Sequence, residues 1–150
     1  MIIRALRVQD AAAFRAFVER LSPESRYARF QYVVKEVSPE LLRMLVVADP
    51  RSHVALAAFQ GDDVVGEARY VRQGERGEFA LAVADDWRRC GVGKHLFEAL
   101  LAAARRDGLK RLDGEVLAWN DAMLGFVEQA GFRVRAHPED ERLLRIELAL

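Results

Sequence analysis

Apolar positions recur with two different periods along the chain, and the change of period near His53 divides it. Ile2 to Leu6 reads as a short strand, and Asp10 stands where it can cap a helix whose apolar face carries Phe14, Phe17, Val18 and Leu21. Ser22-Pro23-Glu24 and Ser38-Pro39-Glu40 each set a capping hydroxyl before a proline suited to the first helical position, then an acid. They predict helices near Pro23 to Phe30 and Pro39 to Val47, with Asp49-Pro50 ending the helical region. From His53 the runs VALAAF, VVGEARYV and EFALAVA, separated by GDD and Gln73-Gly74, predict an antiparallel meander of three strands. Val92, Leu96, Leu100 and Ala104, flanked by Phe97 and Leu101, return to the helical period, and Gly108 can end that helix. A strand near Arg111 to Leu117, a helix from Asn120 to Gly131, and strands around Phe132 to Arg135 and Leu143 to Leu148 complete the order βααα-βββ-α-β-α-ββ.

Composition narrows the class. A chain of 150 residues, 51% hydrophobic, can bury one substantial core, so a single domain over residues 1–150 is expected. Lysine plus arginine and aspartate plus glutamate balance at 23 each, which supplies no strong field toward nucleic acid or an anionic membrane. No stretch has the length of a membrane span, MIIRALRVQD lacks a signal peptide's apolar run, and the lone Cys90 excludes an internal disulfide. A cytoplasmic protein without nucleic-acid or membrane partners is the expectation. His53, His95 and His137 show no ligand spacing, so no metal is expected.

The stretch DDWRRCGVGKHLFEALLAAARRDG places Gly91 and Gly93 at the head of the long helix, with Arg88, Arg89 and Lys94 around them. The first N–H groups of a helix lack helical acceptors and the dipole there favours negative charge, so this strand-to-helix turn is an anion site in outline. Glycines that serve turn geometry alone would look the same. Spacing separates the phosphate-binding classes. A phosphate loop of the Walker type needs a glycine five before Gly93 and a hydroxyl after Lys94, but Arg88 and His95 stand there. A dinucleotide fingerprint needs a third glycine where Leu96 stands, and an antiparallel meander precedes the turn, so NAD binding ranks well below.

Arg88-x-x-Gly91-x-Gly93 resembles the Q/R-x-x-G-x-G/A signature of the GNAT acetyltransferase superfamily, and Asn120-x-x-Met123 through Ala130-Gly131-Phe132 resembles its second motif. The likeness spans nearly the whole chain. LSPESRY, EFALAVADDWRRCGVG and LDGEVLAWNDAML further resemble the acetyltransferase domain of bacterial protein lysine acetyltransferases, the kind that modify acyl-CoA synthetases, without the large extra domain those enzymes commonly carry. The resemblance implies a GNAT fold, an α/β (α+β) arrangement with a mixed, mostly antiparallel sheet of about seven strands between helices. It implies acetyl-CoA as co-substrate, with the backbone of Leu81, Ala82 and Val83 along the pantetheine arm, Arg88, Arg89, Cys90, Gly91, Val92, Gly93 and Lys94 around the pyrophosphate, and Asn120 on the pantetheine side. Asn120 also reads as a plain helix cap.

Acetyl transfer to an amine needs the neutral amine, and a lysine of pKa about 10.4 is only about 0.1% neutral near pH 7.4, a cost of about 4 kcal/mol. A general base is expected. Glu78 opens the strand of the cofactor segment on the face of the small Ala80 and Ala82, and the resemblance implies the base there; a solvated strand-end charge is the bland reading, and Glu67 and Glu115 are the reserves. Where many family members carry a tyrosine acid, seven residues after Asn120, this chain has Val127. Direct attack by the amine is expected, with Cys90 structural. A protein lysine is the leading acceptor; a small-molecule amine and a non-catalytic acyl-CoA-binding module are the alternatives. Strand edges near the C-terminus offer a homodimer contact.

Overall fold

The computed structural model describes residues 1–46, 49 and 51–150. Its elements are β1 (Ile2–Ala5), α1 (Ala11–Arg20), α2 (Pro23–Phe30), α3 (Pro39–Val46), β2 (His53–Gln60), β3 (Asp63–Gln73), β4 (Arg76–Val83), α4 (Val92–Arg106), β5 (Arg111–Leu117), α5 (Asp121–Gln129), β6 (Arg133–Ala136) and β7 (Leu143–Ala149), with short 3-10 turns at Val8–Asp10 and Asp85–Trp87. The order is the one the hydrophobic periods predict. The expected helix end at Val47 and the Pro50 stop lie outside the described residues.

The two seryl caps form as expected: Ser22 Oγ accepts the Ser25 N–H at 3.1 Å and Ser38 Oγ the Leu41 N–H at 3.1 Å. Asp10 differs. Its carboxylate turns back to the Arg7 N–H at 2.8 Å and takes both guanidinium arms of Arg4, at 2.8 and 2.9 Å, rather than capping α1. That bidentate pair holds β1 against the entry to α1, and together with the Arg7 bond it keeps the carboxyl below the usual aspartate range.

Seven strands form one sheet in the order β1-β2-β3-β4-β5-β7-β6. Each neighbouring pair is antiparallel except β4 and β5, which run parallel. The mixed, mostly antiparallel seven-stranded sheet expected from the sequence is therefore present. One face packs against α1 and α3 through Phe14, Phe17, Val18, Leu45, Ala57 and Phe59. The other packs against α4 and α5 through Phe79, Leu81, Leu96, Leu100, Leu112 and Val127. Complete burial of each large side chain contributes about 1.5–3 kcal/mol, which fixes α4 against the sheet and hence the position of its N-terminus.

Candidate functional site

The parallel pairing of β4 with β5 lasts for only three residues, Arg76↔Arg111, Gly77↔Leu112 and Glu78↔Asp113. Beyond them the strands part into a fork, with β4 continuing to Val83 and β5 to Leu117. Gly114 sits at its base: a Cβ there would stand 3.0 Å from the Phe79 carbonyl oxygen, so only glycine lets the backbones come this close before they separate.

The fork leaves one edge of β4 unpaired. Ala84 donates its N–H to Val65 O at 2.9 Å, and Ala82, two residues back, pairs with Glu67 of β3. In an antiparallel ladder the backbone groups of alternate residues point the same way, so those of Ala82 face β3 while those of Leu81 and Val83 face the fork. Ala82 thus presents its small side chain to the cleft, and Leu81 and Val83 present hydrogen-bonding backbone.

At the open end of β4 the chain turns into α4. Arg89 (φ 62°) and Gly91 (φ 84°) are both left-handed, and the first helical bond runs from His95 N–H to Gly91 O at 3.1 Å. The N–H groups of Val92, Gly93 and Lys94 precede that bond in the helix and have no helical acceptor. Arg88, Arg89, Cys90, Gly91 and Lys94 are exposed around them, whereas Val92 is buried in the core. Gly93 faces inward: a Cβ there would meet Val83, Phe126 and Leu81 at 3.5–3.7 Å, ordinary contact, so the surrounding protein does not require a glycine. The Arg88 guanidinium is turned toward α2, donating to Ser25 Oγ at 2.6 Å. Cys90 Sγ rests 3.5 Å from Arg88 O.

Four phenylalanines set this geometry. Phe79 of β4, Phe97 of α4, Phe126 of α5 and Phe132 join in edge and tilted contacts at 5.5–5.8 Å between centroids, locking the two helix starts to the base of the fork. Asn120 caps α5, its Oδ1 accepting the Met123 N–H at 3.2 Å, and also lines the cleft. Val127 is fully buried among the residues under the fork. A phenol at that position would have to enter packed core, where Val127 fills the space instead.

The cleft has a volume of about 1080 Å³ and runs from the α2 and α3 side through the fork to the starts of α4 and α5. Glu78 stands at the base of the fork with an exposed side chain that lines the cleft. Its neighbour Asp113 holds the local cations, Arg76 at 3.0 Å and Arg111 at 3.3 Å. Strand alternation puts Glu78, Ala80 and Ala82 on one face with Glu67 and Arg69 of β3.

Glu67, the first of the reserve candidates, is held in a buried ion-pair network. Only 1% exposed, it is hydrogen-bonded by Arg29 and, at 2.7 Å, by Arg69. Burial alone would raise its pKa, but the two guanidinium charges and their hydrogen bonds more than offset this and hold the carboxyl below its ordinary range. Arg69 continues to Leu45 O at 2.9 Å and His53 Nε2 at 3.3 Å. The whole forms a brace between the sheet and the helices α2 and α3. His53, desolvated and beside Arg69, is pushed below the usual histidine pKa. Sequence reasoning did not anticipate this brace, nor Gly114; an isolated glycine within a strand pattern was the signal for the second.

A second carboxylate, Glu115, lines the cleft from β5 and contacts His137 at 3.3 Å. Asp85 ties the turn before α4 to α2, accepting the Ser22 N–H at 3.2 Å and the Ser25 hydroxyl at 3.0 Å. Among the described residues, no group of three or more His, Cys, Asp and Glu side chains is placed to hold a metal ion, and no helix is long and apolar enough to cross a membrane.

A seven-stranded sheet forked at its single parallel pairing, with an anion-ready helix start at the mouth of the fork, is the architecture of an acyl-CoA-dependent acyltransferase. The chain belongs to the Acetyltransferase (GNAT) family, whose model matches residues 13–132, and is an acetyl-CoA-dependent acetyltransferase. It is 35% identical to an acetyltransferase of Pseudomonas aeruginosa over 100% of this chain and 84% of that protein. It is 34% identical to the acetyltransferase Pat of Mycolicibacterium smegmatis over 73% of this chain, which spans only 34% of that longer protein. The crystal structure of the GNAT domain of S. lividans PAT superposes with a TM-score of 0.93 at 29% identity, covering 99% of this chain and 89% of that one.

Proposed function

We propose that the chain acetylates a primary amine, a protein lysine, with Glu78 as the general base. The observation that carries this reading is the position of Glu78 at the base of the fork, where the unpaired edge of β4 meets the side of the cleft lined by α2 and α3. The residues present fit the co-substrate. Leu81 and Val83 offer backbone groups for a pantetheine arm to pair with as an added strand, and Ala80 and Ala82 leave room for an acetyl group. The N–H groups of Val92, Gly93 and Lys94, with Arg88, Arg89 and Lys94 side chains nearby, suit a pyrophosphate; Gly91 and Gly93 permit close approach, and the Cys90 backbone lies in the same turn. Asn120 flanks the pantetheine side.

When bound, acetyl-CoA supplies a thioester whose carbonyl carbon takes the amine nitrogen as its carbon–sulfur bond breaks. Glu78 takes the proton from the acceptor's ammonium, directly or through one water. With Val127 in the core, the departing sulfur is protonated through water, which passes on the second proton that the nitrogen sheds as the amide forms; a thiol pKa of about 8.5 makes departure as thiolate cost only about 2 kcal/mol near neutral pH. A protein acceptor is supported by the apolar rim of the cleft, where Met44 of α3 and Val71 of β3 are exposed and line the opening, a surface suited to residues flanking a lysine.

Steady-state kinetics of Glu78→Gln with acetyl-CoA and lysine peptides tests this. The variant should lose about 10²- to 10⁴-fold in kcat while binding CoA as before. Unchanged turnover would remove Glu78 from the chemistry; turnover of free polyamines with none of peptides would replace the protein acceptor by a small amine.

A further inference from the structure

Glu115 occupies the opposite prong of the fork. It lies two residues beyond Asp113, the last β5 residue paired with β4, and alternation puts its side chain on the same face as Asp113 and therefore as Glu78. Its surroundings hold it in place. His137 Nδ1 accepts the N–H groups of Glu139 and Asp140, each at 3.0 Å, which leaves the proton of the neutral ring on Nε2, 3.3 Å from Glu115 Oε1. Gln31, in the left-handed conformation at the end of α2 (φ 64°), donates its side-chain amide to Glu115 O at 3.2 Å. The imidazole is nearly buried, whereas about a third of the Glu115 side chain remains open (34% exposed) in the cleft. The facing Arg145 of β7 is in register with it, but among the described residues His137 is the titratable partner within 4.0 Å.

Resting on the lysine-acetyltransferase reading above, we infer that Glu115, oriented by His137, anchors the acceptor's ammonium while Glu78 takes its proton. Two carboxylates then face the amine from the two prongs. A nitrogen that loses one proton to Glu78 keeps two N–H bonds, and one of these directed at a fixed Glu115 oxygen aims the new lone pair away from β5 and toward the edge of β4. Glu115 is a binding and orienting residue rather than a second base, and it favours an amine that enters charged.

The test compares Glu115→Gln with the unmodified protein in steady-state kinetics, and measures lysine-peptide affinity for the CoA-loaded protein by calorimetry. The peptide KM and Kd should both rise about tenfold, the effect of losing one partly exposed charge-assisted hydrogen bond, with kcat altered far less and acetyl-CoA KM unchanged. Glu115→Asp, which keeps the charge, should recover part of the affinity. Unaltered peptide affinity in Glu115→Gln would overturn the inference, as would a loss confined to kcat. Absence of turnover by the unmodified protein with any lysine peptide is a separate outcome: it removes the lysine reading and this inference together.

Discussion

The two sides of the fork are built by opposite means. The proposed donor side, from the edge of β4 to the head of α4, offers backbone groups: Leu81 and Val83 along an unpaired strand, then the N–H groups of Val92, Gly93 and Lys94. The proposed acceptor side is made of side chains drawn from α2, β2, β3, β5 and the loop before β7, and it is held by ions. Backbone recognition tolerates almost any residue that keeps the turn, apart from the glycines. Side-chain recognition depends on each residue and on partners far away in the chain. The same cleft can therefore keep one donor while its acceptor is respecified by a few substitutions on one face.

Removing the centre of the acceptor side should have the largest effect. Glu67→Ala leaves Arg29 and the 4%-exposed Arg69 without their shared carboxylate, and breaking a buried ion pair on one side costs about 3–5 kcal/mol. Urea unfolding followed by circular dichroism would register the loss as a lower midpoint. A loss below about 1 kcal/mol would mean that α2 and α3 are held by apolar packing alone.

The donor side should respond in the opposite manner to Gly93→Ala. The added methyl meets its neighbours at 3.5–3.7 Å and sits in the first turn of a helix, so the free protein should be unchanged or stabilised by up to about 1 kcal/mol. On the proposed cofactor reading the methyl also narrows the approach of a pyrophosphate to the adjoining N–H groups, so acetyl-CoA affinity should fall about tenfold, the loss of roughly one charge-assisted hydrogen bond. Calorimetric titration beside a thermal melt separates the two readouts. Affinity and stability falling together would indicate a distorted helix start and remove the backbone cradle from the donor side.

That contrast also explains what the sequence could reveal. The donor side is local: Arg88, Gly91 and Gly93 lie within six residues, and their spacing is the motif. The element order is similarly legible because each element carries its own period and its own caps, as at Ser22 and Ser38. The acceptor side is non-local. Nothing within the stretch VVGEARYV says that Glu67 will meet Arg29, 38 residues earlier, so it reads as a spare base until the sheet register and α2 bring the arginines to it. The fork is hidden for the same reason, since pairing that stops after Glu78 and Asp113 is a property of two strands separated by a 15-residue helix. Glu78 lies on the same strand as the donor-side segment, so the sequence could put it forward as a candidate without knowledge of the fork.

Asp85 joins the two sides, and its replacement should have the smallest effect of the three. It belongs to the turn leading into α4, yet its carboxylate accepts the Ser22 N–H and the Ser25 hydroxyl of α2, while Arg88 donates to that same hydroxyl. Partial burial would raise its pKa, but the bonds from Ser22 and Ser25 and the charge of Arg88 outweigh it and hold the carboxyl below its ordinary value. A depressed folded-state pKa means that its stabilisation is fully present above the unfolded value of about 3.9 and fades as the pH falls through the folded one. With about a third of the side chain exposed (35%), solvent screening keeps the loss in Asp85→Asn to about 1 kcal/mol at pH 7. Urea midpoints of the two proteins should therefore differ at pH 7 and converge at more acidic pH, where both carry a neutral group at position 85. A gap that stays constant on acidification would assign the loss to packing of the amide, and the link between the donor and acceptor sides would then be steric rather than ionic.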